Sequence, residues 1–405
     1  MKMIPVILLF LLVIPRSGAA QTGVRPDIEL VESIPVETLL DNPEIRDTRE
    51  VWLEMIRAAT RSLDIEQFYI SNKPDEPLEE VIREILKAGE RGVSVRVIVD
   101  ARMFKTYPES VTRLGEGINV ATRIMDVSKL SGGIQHAKYF IVDGEEIFLG
   151  SQNFDWRALT HIHELGLRIR QRDLAGVYGD IFNLDWELAA HPGAPAAAAE
   201  KPHRKQFLIT GASGETIGLR PTASPKSLLP DTTMWDEPNI LELIDAARSE
   251  LFCQFLSYSP VGRDKSLYTR LEDALKRAAL RGVKVSLLVS DWEKARPAVD
   301  YLKSLSSWPN ISVRFSEIPE WTGGYVSYAR VEHCKFIIAD SRAFWLGTSN
   351  AEKSYFYTSR NLGIVVEGAV LSAQIRKIFL KSWDGPYATP VRPEVEYKVR
   401  EHGDR

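Results

Sequence analysis

The chain has 405 residues, 44% of them apolar and 26% charged, which excludes a disordered polymer and leaves room for two domains or one large α/β body. A formal charge of −4 excludes coating of nucleic acid by bulk charge, so a polyanion must be met by a local cluster of cations. The two cysteines, Cys253 and Cys334, are too few for a disulfide framework and lie in apolar runs, where buried thiols are expected.

Residues 1–20, "MKMIPVILLFLLVIPRSGAA", join Lys2 to an apolar run and end on small residues, the pattern of a secretory signal cleaved near Ala19 or Ala20. The run is too short to span a bilayer comfortably. A secreted or periplasmic location, or a lumenal one in a eukaryote, is therefore expected. Loss of Lys2 and Arg16 with the signal takes the charge from −4 to −6.

A first unit is expected over residues 21–190. "RSLDIEQF" (residues 61–68) reads as a strand, "PLEEVIREILKAGERG" as an amphipathic helix closed by Gly92, and "VSVRVIVD" as a second strand. The stretch "HAKYFIVDGEEIFLGSQN" follows. Strand alternation places His136, Lys138 and Phe140 on one face.

Residues 191–205, rich in Ala and Pro, read as a linker. A second unit, residues 206–390, repeats the first: "RSELFCQF" (248–255), "LYTRLEDALKRAALRG" closed by Gly282, "VKVSLLVS", then "HCKFIIADSRAFWLGTSN". In both copies the histidine is followed at 2 by Lys138 or Lys335, at 7 by Asp143 or Asp340, at 17 by Asn153 or Asn350, and at 28 by Glu164 or Asn361. Matched spacing across both halves argues for duplication, with mainly parallel sheets flanked by helices. Residues 391–405 form a polar tail.

A lysine beside a histidine in a partly buried site is costly unless it meets an anion. Two such pairs facing one another suit a phosphate-sized group. One imidazole can attack phosphorus while the other protonates the departing oxygen, and Lys138, Lys335, Asn153 and Asn350 can stabilise the non-bridging oxygens. This chemistry needs no metal and no cofactor. Asp143 and Asp340 are expected to brace their strands or turns rather than touch phosphate.

The pattern HxKxxxxDx6GSxN, complete from His136 through Ser151 to Asn153, resembles the signature of the phospholipase D superfamily. The second copy departs only at Thr348, which keeps the hydroxyl. The longer strings, with "RSLDIEQFY" upstream, are similar to the branch of lysosomal phospholipase D-like 5′-exonucleases and poxvirus envelope phospholipases. The resemblance implies two phospholipase D-like halves meeting at a pseudo-two-fold interface, with each histidine held by a second polar group. By position, Glu164 is expected to hold His136 and Asn361 to hold His333. A carboxylate partner stabilises a phosphorylated imidazole, which favours His136 as nucleophile and leaves the reverse open.

The implied substrate is single-stranded nucleic acid attacked from its 5′ end; a phospholipid, with transient membrane contact, is the alternative, and an inert binding module the third. No obligate protein partner is implied. His161 and His163 have HxH spacing but read as surface or supporting residues rather than metal ligands. Residues 321–328, with their aromatics, and 101–110 are candidate rims for the site.

Overall fold

The structure, a computed structural model, describes residues 26–191, 203, 205–262 and 265–404. The expected signal at 1–20 and most of the expected linker lie outside the described residues. Two mixed sheets dominate, one in each half.

The expected strands and helix of the first unit form at Ser62–Gln67, Leu78–Glu90 and Ser94–Asp100. Their counterparts are Glu250–Phe255, Arg270–Leu280 and Lys284–Ser290. Each helix buries a stripe of aliphatic side chains and stops where Gly92 (φ 95°) or Gly282 (φ 91°) turns left-handed, a conformation that a residue with a Cβ adopts only at a cost.

Parallel pairing joins Ser62–Gln67 to Ser94–Asp100 and then to Val120–Met125. In the second half it joins Glu250–Phe255 to Lys284–Ser290 and Ile311–Ser316. On the other side of Ser62–Gln67 the pairing turns antiparallel. Tyr139–Val142 runs against it, with Ile65 opposite Phe140, and then forms a hairpin with Glu146–Gly150. Phe336–Ala339 and Ala343–Gly347 repeat that hairpin beside Glu250–Phe255. Parallel pairing is thus concentrated in the βαβ strands, with short additions such as Ile28–Ser33 against Arg46–Asp47, because a two- or three-residue turn can join only antiparallel neighbours.

Helices cover both faces of each sheet. Outer helices, among them Thr48–Ala58 in the first half and Asp236–Ala246 in the second, close two separate apolar cores. A third core is shared: Tyr139, Tyr178 and Phe182 of the first half pack in one cluster with Phe336, Ile364 and Phe379 of the second. Tyr178 also donates its hydroxyl across the boundary to the Gly363 carbonyl at 2.7 Å. Both cysteines are buried free thiols.

Candidate active site

Each signature histidine lies just before the hairpin strand of its own half, and a backbone hydrogen bond ties it to the other half. His136 N–H donates to the Arg360 carbonyl at 2.8 Å, and His333 N–H donates to the His163 carbonyl at 2.9 Å. These bonds accompany two short parallel bridges, Gln135 with Arg360 and His163 with Glu332. The pairs are related by the duplication, since 332 − 135 and 360 − 163 are both 197.

The bridges exchange the expected partners. His136 Nδ1 lies 3.0 Å from Asn361 Oδ1, and His333 Nδ1 lies 2.8 Å from Glu164 Oε2. Glu164 therefore holds His333 and Asn361 holds His136, the reverse of the pairing expected from position along the chain. The physical reason is that each polar partner starts a strand, Glu164–Arg170 or Asn361–Glu367, whose first residue is laid against the opposite half. The Asn361 amide is turned unambiguously: its Nδ2 donates to the Tyr355 carbonyl at 2.8 Å, so Oδ1 accepts from His136. With both Nδ1 atoms occupied, each ring keeps Nε2 for chemistry.

Ser151 and Thr348 support these partners. The Thr348 hydroxyl donates to Asn361 Oδ1 at 3.0 Å and accepts from Leu362 N–H at 3.1 Å. Ser151 Oγ accepts from Leu165 N–H at 3.0 Å and lies against Glu164, favouring its charged form. The signature hydroxyl of each copy thus steadies the group that holds the other copy's histidine. The replacement of Ser by Thr at 348 changes nothing in this role.

His136, Lys138, His333 and Lys335 are all buried. Lys138 Nζ donates to the His136 carbonyl at 2.7 Å, and Lys335 Nζ donates to that of His333. Burial, then Lys138 and Lys335, push His136 well below the ordinary imidazole range, and His333 is also felt there. Burial, then Lys335 and Lys138, do the same to His333. Burial brings Lys335 down to about 7, while burial and the Lys335 charge lower Lys138. Glu164 moves the other way, up to about 8, because burial outweighs the pull of Lys335 and Ser151. The four bases are near enough to one another to oppose each other's charging. A phosphodiester anion among them would reverse that penalty.

Asp143 and Asp340 lie away from this centre, in the hairpin turns, both with positive φ (55° and 52°). Asp143 accepts from the backbone N–H groups of Thr60, Arg61 and Ser62 at 2.7 to 3.2 Å. Asp340 accepts from those of Arg248, Ser249 and Glu250 at 2.7 to 3.0 Å. Each carboxylate pins the start of the central strand to the hairpin. Asn153 and Asn350 are buried; Asn153 Oδ1 has no hydrogen-bond partner among the described residues.

The chain matches the family described as cardiolipin synthase, PLD-like domain, over residues 52–186 and 240–383. It belongs to the phospholipase D-like family. Membership on this scale makes it an enzyme of the phosphodiesterase type. Among its relatives, the 5′-3′ exonuclease PLD3 of Bos taurus is 29% identical over 89% of this chain and 79% of its own length. The 5′-3′ exonuclease PLD4 of Mus musculus is 28% identical over 94% and 82%. Among solved structures, phosphatidylserine synthase of Haemophilus influenzae superposes with a TM-score of 0.61 at 14% identity, over 90% of this chain and 87% of that one, which shows a shared fold.

In this phospholipase D-like site, two buried clusters behind the histidines escape sequence reasoning. His163, read from the sequence as a surface or supporting residue, is fully buried. Its Nε2 lies 2.8 Å from Glu32 Oε1, and its Nδ1 is bonded to Glu332, the residue before His333. Burial opposes its proton, but Glu332 and Glu32 together raise it to about 10. At the equivalent position of the second half, Arg360 donates to Asp185 at 2.7 Å, while Gln135, the residue before His136, donates to Glu66 at 2.9 Å. A cation thus anchors each crossing point. His163, Glu332 and Cys334 are near enough together to ligate a cation, but both nitrogens of His163 are already engaged by carboxylates, so the set is bonded to itself.

A cleft of about 720 Å³ is walled by Arg102, Lys105, Lys129 and Lys353, by Tyr355 and Tyr357, and by the carboxylates Asp100 and Asp126, the latter paired with Lys129. The Tyr355 ring lies 4.9 Å from that of His136, edge to face. Of residues 101–110, Ala101, Arg102 and Lys105 line this cleft.

Proposed function

We propose that the chain cleaves phosphodiesters by two displacements through a phosphohistidine on His333. His333 Nε2 forms a bond to phosphorus as the bond to the leaving oxygen breaks, and that oxygen takes a proton from His136 Nε2–H. His136 then takes a proton from water, whose oxygen displaces His333 and restores both rings. The crossed pairing carries this assignment. A carboxylate, Glu164, stabilises the positive ring that exists while Nε2 carries phosphorus. The neutral Asn361 accepts from His136 Nδ1–H and adds no charge to the ring, which leaves Nε2 able to give and retake a proton. Lys138, Lys335, Asn153 and Asn350 would meet the non-bridging oxygens.

We infer that the substrate is single-stranded nucleic acid attacked from its 5′ end. The exonuclease relatives support this reading, and so does the cleft beside His136, where cations and tyrosines suit a phosphate backbone and its bases. The N-terminal pattern of residues 1–20 supports export, and among the described residues no helix is long and apolar enough to cross a membrane. The test is to incubate the protein, with chelator, with 5′-labelled oligonucleotide and with fluorescent phosphatidylcholine. Stepwise release from the 5′ end is expected; turnover of the lipid alone would transfer the mechanism to a phospholipase.

A further inference from the structure

The duplication gives the paired histidines two related approaches, and among the described residues the basic cleft frames the one beside Tyr355 and His136. On the His136 side its floor follows the strand Ser94–Asp100, with Ala101 and Arg102 first, and its far wall is the short helix Lys353–Tyr357. The related features on the His333 side are Asp291 and Trp292, which follow Lys284–Ser290, and the short helix Trp156–Thr160. Here the space is packed. Ile162, Leu256, Ala329 and Val331 form a small apolar cluster, with Trp292 and Val326 against it.

Residues 400–403 lie over this cluster. The His402 ring sits 5.1 Å from that of Trp292, and its Nε2 is 3.3 Å from Asp291 Oδ1. Arg400 Nη1 donates to the Ile318 carbonyl at 2.7 Å and lies 3.9 Å from Asp291 Oδ2. Tyr328 N–H donates to the His402 carbonyl, and the Tyr325 hydroxyl to that of Gly403. Of the candidate rim 321–328, Tyr325 and Tyr328 are thereby bonded to the tail, while Thr322 donates to Glu37.

We propose that residues 400–404, seated on Trp292, plug the second approach and make the site a blind cleft. This rests on the nucleic-acid reading above and extends it to how the strand is taken. A groove open at both ends accepts the middle of a strand; one closed at an end accepts only a terminus. The plug makes the enzyme an exonuclease, and Arg400 and His402 are specificity-determining through their hold on Asp291 and Trp292, not through contact with the reacting phosphate.

The test compares a linear single-stranded oligonucleotide with a covalently closed circle of the same sequence. The full chain should degrade the linear strand and spare the circle. A chain ending at Val399, and separately the full chain with Arg400→Ala and His402→Ala, should keep linear cleavage and open the circle at least about tenfold faster than the unaltered protein. Two results would overturn the proposal: either variant cutting the linear strand while still sparing the circle, or both losing linear cleavage, which would make the tail scaffold rather than plug. Failure of the unaltered protein on linear strands would instead refute the nucleic-acid reading.

Discussion

At the scale of single residues, the division of labour rests on what lies behind each imidazole. Glu164→Gln keeps the hydrogen bond to His333 but removes its charge, and kcat should fall by about 10² to 10⁴ with KM little altered; an unchanged kcat would deny Glu164 its role. Asn361→Asp places a charge behind His136 and should raise its pKa, moving the limb of the pH–rate profile that reports the acid upward by about a unit or more. Asp143→Ala removes a carboxylate bound to three backbone N–H groups and should cost about 2 to 3 kcal/mol of stability by denaturant titration, with activity retained in the fraction that folds. The histidines, lysines and braces were legible in the sequence because the same spacing occurs twice. The pairing of Glu164 and Asn361 was not, because spacing along the chain measures separation within one half and is silent on which half a strand's first residue faces.

At the scale of elements, the two crossing points hold the halves in register by unequal means. Arg360 is a permanent cation beside Asp185, whereas His163 carries charge only while protonated between Glu32 and Glu332. Its folded pKa is raised to about 10 from an ordinary 6.5. Its contribution to stability is therefore complete below about pH 6.5 and is lost as pH rises through about 10. Stability of the unaltered protein should decline over that window, and His163→Gln should remove the decline; an equal slope in both proteins would assign it to other groups. The strand–helix–strand units were readable from periodicity and their closing glycines. The antiparallel hairpins were less so, since a strand pattern does not state its partner's direction, and HxH spacing left His163 as either a surface or a supporting residue because it does not show which carboxylates the fold brings to it.

For the whole molecule, duplication brings both signature histidines into one chain. Each half supplies a histidine and a lysine and, across the shared core, the group that orients the other half's histidine. Neither half alone holds a complete site, and the most direct check of this account is to find where phosphorus becomes bound. A p-nitrophenyl phosphodiester needs no proton on its leaving group, so His136→Ala should still be phosphorylated but should hydrolyse the intermediate slowly. Alkaline quenching and peptide mapping of that variant should place the label on the peptide containing His333, and His333→Ala should carry none. Label on the peptide containing His136 of the unaltered protein, or on neither histidine, would contradict it.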